Sequence, residues 1–355
     1  MARGVDCVAR AAVIALMFAT VAAAAVPATV RDIFMYRGAD RERMLAEGAK
    51  KEGSVVVYST LTVADATTLS EAFERKYGVK VMAWRGNGDK IVQRAMTEAR
   101  SGRYDADVFE MNAPQMEMLY REKLLEEFFS PAFADIPPAA FPPHRHYVAD
   151  RFAFYVLAFN TRFVKPAEAP STYEELLDPK WRGKLGLEAG DVAWFAAVTK
   201  AMGEEKGLAY FRSLAAMKPQ LRTGHILLAE LVAAGEIPMT PTAYNNNVET
   251  LKKKGAPVDW KPLAPAFGRA TSVALSKRAP HPHAAALFTD FLLSREGQQI
   301  LQRLNRVPSN AAVGSRLNNF RYELVDPVIM LDEWQKWSNL WSSLFLGGKD
   351  VKGED

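Results

Sequence analysis

The chain has 355 residues, 49% of them hydrophobic and 24% charged, which is enough to fill one large or two medium cores. Its formal net charge of +4 is nearly neutral and gives no support for a nucleic-acid partner, which needs a concentrated basic face. The single cysteine, Cys7, lies near the start, so the remainder of the chain excludes disulfides and thiolate metal ligands.

Arg3 and Arg10 precede an apolar run over 11–25 that ends in Ala23-Ala24-Ala25, a small-residue cleavage pattern. This predicts a secretory signal peptide over 1–25 and a soluble exported protein, the run being short for a membrane span. A charge-rich helix is expected over 33–51. Residues 54–59 are a β-branched and aromatic strand, 65–76 an amphipathic helix stopped by Gly78, and 79–84 a second strand. The turn Arg85-Gly86-Asn87-Gly88 opens a helix over 89–100. A third strand follows over 104–110 and a helix over 114–123, then a connection over 130–143 carrying five prolines, expected to be extended.

The apolar strand 152–160 leaves this first lobe. Ser171-Thr172-Tyr173-Glu174 reads as a capping box, 185–188 as a strand, and Asp191 as the N-cap of a helix running to Met202. A helix over 225–235 and a strand over 237–240 lead into Tyr244-Asn245-Asn246-Asn247. Strands over 258–263 and 271–275 return to the first lobe. A helix over 284–304 and two further helices close the chain. The order is βα units, a crossing, more βα units and a crossing back. It implies an α/β protein of two lobes, 26–150 with 266–355 and 151–265, with a cleft between them.

In open α/β sheets ligands sit at the carboxyl ends of strands beside helix N-termini, and they favour domain interfaces. Thr60 and Thr62 lie past the first strand, Arg85 precedes the Gly-x-Gly turn, and Asn112 lies beyond the third strand; each is a candidate hydrogen-bonding or charge-pairing contact. His144-Arg145-His146 and His281-Pro282-His283 have near-metal spacing but lie in proline-rich stretches without adjacent carboxylate or cysteine partners. Trp334, Trp337 and Trp341 recur at helical spacing and read as core. No Gly-x-Ser-x-Gly, His-Glu-x-x-His or P-loop pattern occurs, which argues against an enzyme.

Six segments in order carry a resemblance: Gly53-Ser-Val-Val-Val-Tyr-Ser, Ala72-Phe-Glu-Arg-Lys-Tyr-Gly-Val-Lys-Val, Ala106-Asp-Val-Phe, Asp178-Pro-Lys-Trp-Arg-Gly-Lys, Ala234-Gly-Glu-Ile-Pro and Phe291-Leu-Leu-Ser-Arg-Glu-Gly-Gln-Gln. Together they resemble the type 2 periplasmic solute-binding proteins of ABC importers, in their ferric-iron-binding branch. The resemblance implies the two-lobed type 2 periplasmic-binding-protein fold and capture of a solute for an inner-membrane permease by a monomer, without a cofactor.

In that branch iron is held by two adjacent tyrosines, often with a histidine and a carboxylate from the first lobe. The tyrosine pair here falls on Tyr244-Asn245-Asn246, the histidine position near Thr62 and the carboxylate position near Asp89. One phenolate and one carboxylate make a poor cage for Fe(III), which favours anionic oxygen donors. The resemblance also places a bound anion at the helix N-terminus occupied here by Asp191, whose carboxylate would repel it and accept a cationic group instead. Trp194, one turn on, offers a ring to the ligand. His225 opens the helix that contacts ligand from the second lobe, and Tyr244, Asn245 and Asn246 lie on the loop that carries ligand contacts. A small organic anion or zwitterion is therefore expected, with ferric iron held through an exogenous anion as the alternative. An enzyme or a sensor adaptor on the same fold represents other classes.

Overall fold

The computed structural model describes residues 29–351, so the expected leader over 1–25 lies outside the described residues. Within them the first βαβ unit forms as its sequence dictates. Strand β1 (Ser54–Ser59) is followed by the helix Val63–Tyr77, which Thr62 caps and Gly78 ends in the left-handed conformation that glycine adopts without strain. Strand β2 (Lys80–Arg85) then pairs parallel to β1, and the helix Gly88–Arg100 follows behind an Asn87 cap.

The third strand is β3 (Val108–Asn112), not 104–110. Asp107 accounts for the shift, because its carboxylate accepts the backbone N–H groups of Val56 at 2.8 Å and His281 at 2.7 Å. A side chain replaces the ladder there. The proline-rich 130–143 is not simply extended; it holds two 3₁₀ turns, Pro131–Asp135 and Pro138–Ala140.

The remaining strands are β4 (Leu125–Glu126), β5 (Tyr147–Asn160), β6 (Gly186–Glu188), β7 (Gln220–Arg222), β8 (Met239–Tyr244), β9 (Val258–Lys261), β10 (Ala266–Ser276), β11 (Val307–Pro308) and β12 (Tyr322–Leu324). One path through the main sheet runs β11-β5-β10-β3-β1-β2. Strand β5 carries that sheet from one lobe into the other. Up to Phe154 it pairs antiparallel with β10 and β11, and from Tyr155 onward with β8 and β9. The strand therefore changes partners at Phe154–Tyr155.

Two hydrophobic clusters follow this division. The first gathers Phe34, Leu45, Val55, Val57, Phe73, Phe154 and Phe291; the second gathers Tyr173, Trp194, Phe195, Phe211, Trp337 and Trp341. Each fully buried large apolar side chain stabilises by about 1.5–3 kcal/mol. The sequence expectation put 266–355 wholly in the first lobe, but the closing helices Pro327–Asp332 and Trp334–Trp341 bring Met330, Trp337 and Trp341 into the second cluster. Trp334, the third member of that stripe, is exposed.

Local polar groups correct several boundaries. The expected helix over 33–51 is two, Val30–Met35 and Arg41–Glu52. The expected helix over 284–304 breaks at Ser294, whose hydroxyl caps Arg295–Arg303 by accepting the Gly297 N–H. The expected capping box does not form, Tyr173 preceding the 3₁₀ turn Glu174–Leu177 without a side-chain cap; instead Thr172 Oγ1 accepts the Glu175 N–H, and the Glu175 carboxylate accepts the Ser171 N–H.

Candidate functional site

Three chain segments of the second lobe end at one place. Strand β6 finishes at Glu188, and the helix Val192–Met202 begins just after Asp191. The helix His225–Ala234 begins behind Gly224, and β8 finishes at Tyr244. Gly224 has φ of 101°, a conformation costly for any residue with a Cβ, and its N–H donates to Glu188 Oε1 at 3.0 Å. Glu188 Oε2 accepts from the Gly190 N–H. Two helix N-termini therefore face a buried carboxylate, as their dipoles favour.

Asp191 is fully buried, and it does not cap its helix: its carboxylate takes no backbone hydrogen bond. Oδ1 lies 3.3 Å from His225 Nε2 instead. Burial pushes the Asp191 carboxyl above its ordinary value, Glu188 adds to this, and His225 and Arg269 oppose it. The His225 ring is fixed on its other side, where Nδ1 is 3.0 Å from the Thr242 carbonyl oxygen. Tyr244 stacks on that ring with centroids 3.9 Å apart and an interplanar angle of 30°.

The crossing strands add a phenol and a guanidinium. Tyr155 on β5 is the register partner of Tyr244, and the two rings stand 5.2 Å apart. Arg269 on β10 donates from Nη1 to the Tyr244 hydroxyl at 2.5 Å. The assembled set is Tyr155, Glu188, Asp191, His225, Tyr244 and Arg269. It offers both signs of charge within one site, at the junction between the lobes.

Of the residues expected from sequence, Asp191, His225 and Tyr244 come together here. Trp194 does not present its ring: it is fully buried in the second core against Phe211 and Tyr173, the periodic apolar face having taken it inward. Asn245 is also fully buried. Its Oδ1 accepts the Phe154 and Asn246 N–H groups, and its Nδ2 donates to the Leu317 carbonyl, so it ties the strand junction. Asn246 is buried and donates to Asn247.

The first-lobe candidates lie at a separate strand end. Thr60 donates its N–H to Glu110, which also takes the Ser59 hydroxyl and Arg151. Thr62 caps its helix through the Asp65 N–H. Arg85 is exposed and donates to the Leu61 carbonyl. Asn112 accepts from the Thr271 hydroxyl, and exposed Asp89 accepts from Gln115.

The histidine pairs do have carboxylate partners, brought from far along the chain. His144 meets Glu117 at 3.0 Å, His281 meets Asp107 at 2.8 Å and His283 meets Glu52 at 2.7 Å. Each is a separate pair. Among the described residues, the group of three metal-capable side chains is Glu188, Asp191 and His225.

Sequence reasoning missed Glu188, Tyr155 and Arg269. Glu188 carried a usable signal, a carboxylate ending a strand three residues before the helix N-cap Asp191. Tyr155 was hidden in an apolar run read only as the strand leaving the first lobe, and Arg269 lay ahead of the expected strand over 271–275.

The sequence over residues 106–324, more than half of the chain, matches the family model described as bacterial extracellular solute-binding protein. The chain is 28% identical over 309 residues to "Iron uptake protein A1" of Synechocystis, covering 78% of this chain and 83% of that one. It is 22% identical over 290 residues to the "Fe(3+)-binding periplasmic protein" of Serratia marcescens, covering 77% and 83%. Among solved structures, iron-bound HitA of Pseudomonas aeruginosa superposes with a TM-score of 0.71 at 22% identity, covering 82% of this chain and 99% of that one. AfuA of Actinobacillus pleuropneumoniae, with fructose-6-phosphate bound, superposes with a TM-score of 0.69 at 22% identity, covering 83% and 99%. These likenesses share the two-lobed type 2 periplasmic-binding-protein fold. The chain belongs to the bacterial extracellular solute-binding proteins and is a solute-binding component.

Proposed function

We propose that this protein captures a small organic anion or zwitterion in the periplasm, after removal of its leader, and hands it as a monomer to an inner-membrane ABC permease. The observation that carries the reading is one site with both charge signs at the strand junction. The Arg269 guanidinium lies on the Tyr244 hydroxyl, and the buried Asp191 carboxylate lies beside the His225 ring on which Tyr244 stacks. An acidic group of the solute pairs with Arg269, and a cationic group, or a cation travelling with the solute, meets Asp191. Rotation about the Phe154–Tyr155 junction closes the first lobe over the site, so binding and release need no covalent chemistry.

Ferric iron held with an exogenous anion is the second reading, and one observation favours it. The adjacent tyrosine is replaced by Asn245, yet Tyr155 supplies a second phenol opposite Tyr244 from another strand. The iron-uptake and Fe(3+)-binding names of two relatives point the same way.

Native mass spectrometry of the mature protein from its own periplasm, purified without added metal and paired with a metal assay, separates the two. A small organic mass without metal supports the main reading. Stoichiometric iron, with a phenolate-to-metal visible band that Tyr244→Phe removes, overturns it in favour of the second.

A further inference from the structure

Glu188, Asp191 and His225 contribute one donor atom each, all within 4.8 Å of one another, and all three residues are buried. Two features point to an occupant. First, Thr242 offers a carbonyl to His225 Nδ1, and a carbonyl only accepts, so Nδ1 carries a hydrogen. In the neutral ring Nε2 then presents a lone pair, and it faces the Asp191 carboxylate at 3.3 Å. Two acceptors oppose each other unless a proton or another cation lies between them. Second, Asp191 Oδ2 is fully buried and has no hydrogen-bond partner among the described residues. A carboxylate oxygen left so costs free energy that a bound cation recovers.

We infer that Glu188, Asp191 and His225 form a site for a divalent first-row transition cation, Zn²⁺ or one of its neighbours, built wholly from the second lobe. One imidazole and two carboxylates suit such ions, whereas Fe(III) favours phenolate. The nearest phenol, that of Tyr244, is turned toward Arg269 and stacks beside the imidazole instead of joining the donor set. The surroundings of the three donors are those of a supported metal site. A backbone carbonyl orients the histidine, and the Gly190 and Gly224 N–H groups hold the Glu188 carboxylate. Each Glu188 oxygen keeps a second lone pair for the ion. Tetrahedral donors at bonds of about 2.1 Å stand roughly 3.4 Å apart, so binding draws the three inward. The bound cation would present an open position toward Arg269 and Tyr244, where an anionic solute can complete its coordination. This inference deepens the solute reading by naming the cation that Asp191 accepts, and it rests on that reading only for the solute at the open position.

The test uses mature full-length protein stripped with chelator and titrated with Co²⁺ alone, then with Zn²⁺ alone. The expected result is one Co²⁺ per chain with a d–d absorption band, displaced by Zn²⁺. Asp191→Asn and His225→Gln, first checked for folding by circular dichroism, should each weaken Co²⁺ binding at least tenfold. A measurement on the wild type needs no variant: of the five histidines, Zn²⁺ should move the imidazole nitrogen resonances of His225. If no stoichiometric Co²⁺ binds, if both variants bind as the wild type does, or if another histidine responds instead, the inference is overturned and a proton bridges Asp191 and His225. If Co²⁺ fails to bind while an organic mass still associates with stripped protein, this inference falls and the solute reading stands. If Co²⁺ binds as expected but purified protein carries no organic solute, the reverse holds.

Discussion

The two strand ends that face the lobe junction are built from similar residues and behave differently. In the first lobe, Glu110 takes the Ser59 hydroxyl, the Thr60 N–H and Arg151; Arg151 also pairs with Asp150 Oδ2, whose Oδ1 has no hydrogen-bond partner among the described residues. Thr62 is used as a cap and Asn112 accepts from Thr271. In the second lobe, buried Asp191 meets the His225 imidazole, and its second oxygen has no hydrogen-bond partner among the described residues. Polar groups that satisfy one another make structure, because an unpaired buried group costs more than a made hydrogen bond returns. Polar groups left partly unsatisfied in a cleft are where a ligand gains binding energy. In the proposed reading, recognition lies with the second lobe and the crossing strands, where Asp191, His225, Tyr244 and Arg269 meet, and scaffolding with Glu110, whose carboxylate is fully engaged by Ser59, Thr60 and Arg151.

The sharpest way to break this comparison is Arg151→Ala. It leaves Glu110 and Asp150 buried without their guanidinium, and we expect about 3–5 kcal/mol lower stability in urea unfolding. A variant of native stability that has lost solute would show that the first-lobe network binds ligand. Trp194→Ala tests the reassignment of that ring to the core, with an expected loss of about 3–5 kcal/mol and no direct effect on a ligand contact.

The Asp150 network also sets a pH dependence. Burial pushes the Asp150 carboxyl up to about 7, with Arg151 opposing and Glu110 adding to the shift. Its folded value is thus raised above its unfolded one, near 3.9. The corresponding stability is fully present below about pH 4 and is lost as pH rises through 7. Thermal unfolding at pH 5 and pH 8 should show a higher Tm at pH 5. Asp150→Asn should flatten the difference, and an unchanged slope would remove Asp150 as its source.

Smaller effects separate binding from folding. Tyr244→Phe removes the hydroxyl that accepts from Arg269, at about 0.5–1.5 kcal/mol in stability. It should also weaken the co-purifying solute about tenfold by isothermal titration. Thr62→Ala should cost about 1 kcal/mol through the lost cap and leave solute affinity unchanged. A drop in affinity there would return Thr62 to the site.

What the residues make legible by themselves is largely local. The β-branched run 54–59, the helix ending at Gly78 and the Asn87 turn announce the first βα units because propensity and capping act within a few residues. The boundaries that moved did so where a side chain replaced a backbone partner, as Asp107 does beside β3. Asp191, His225 and Tyr244 are legible as residues at strand ends and helix starts.

Their meaning is not legible in the same way, because it depends on partners far along the chain. Glu188 is joined to Gly224 only when β6 pairs with β7, and Tyr155 and Arg269 reach Tyr244 only when β5 and β10 are in place. The same holds for the histidines, whose carboxylates lie 27 residues away for His144, 174 for His281 and 231 for His283. The sequence by itself determined the elements and the two-lobed order, since hydrophobic period and turn chemistry are short-range. Only the tertiary structure decided which charges share a site, because burial and charge pairing are set by distance in space.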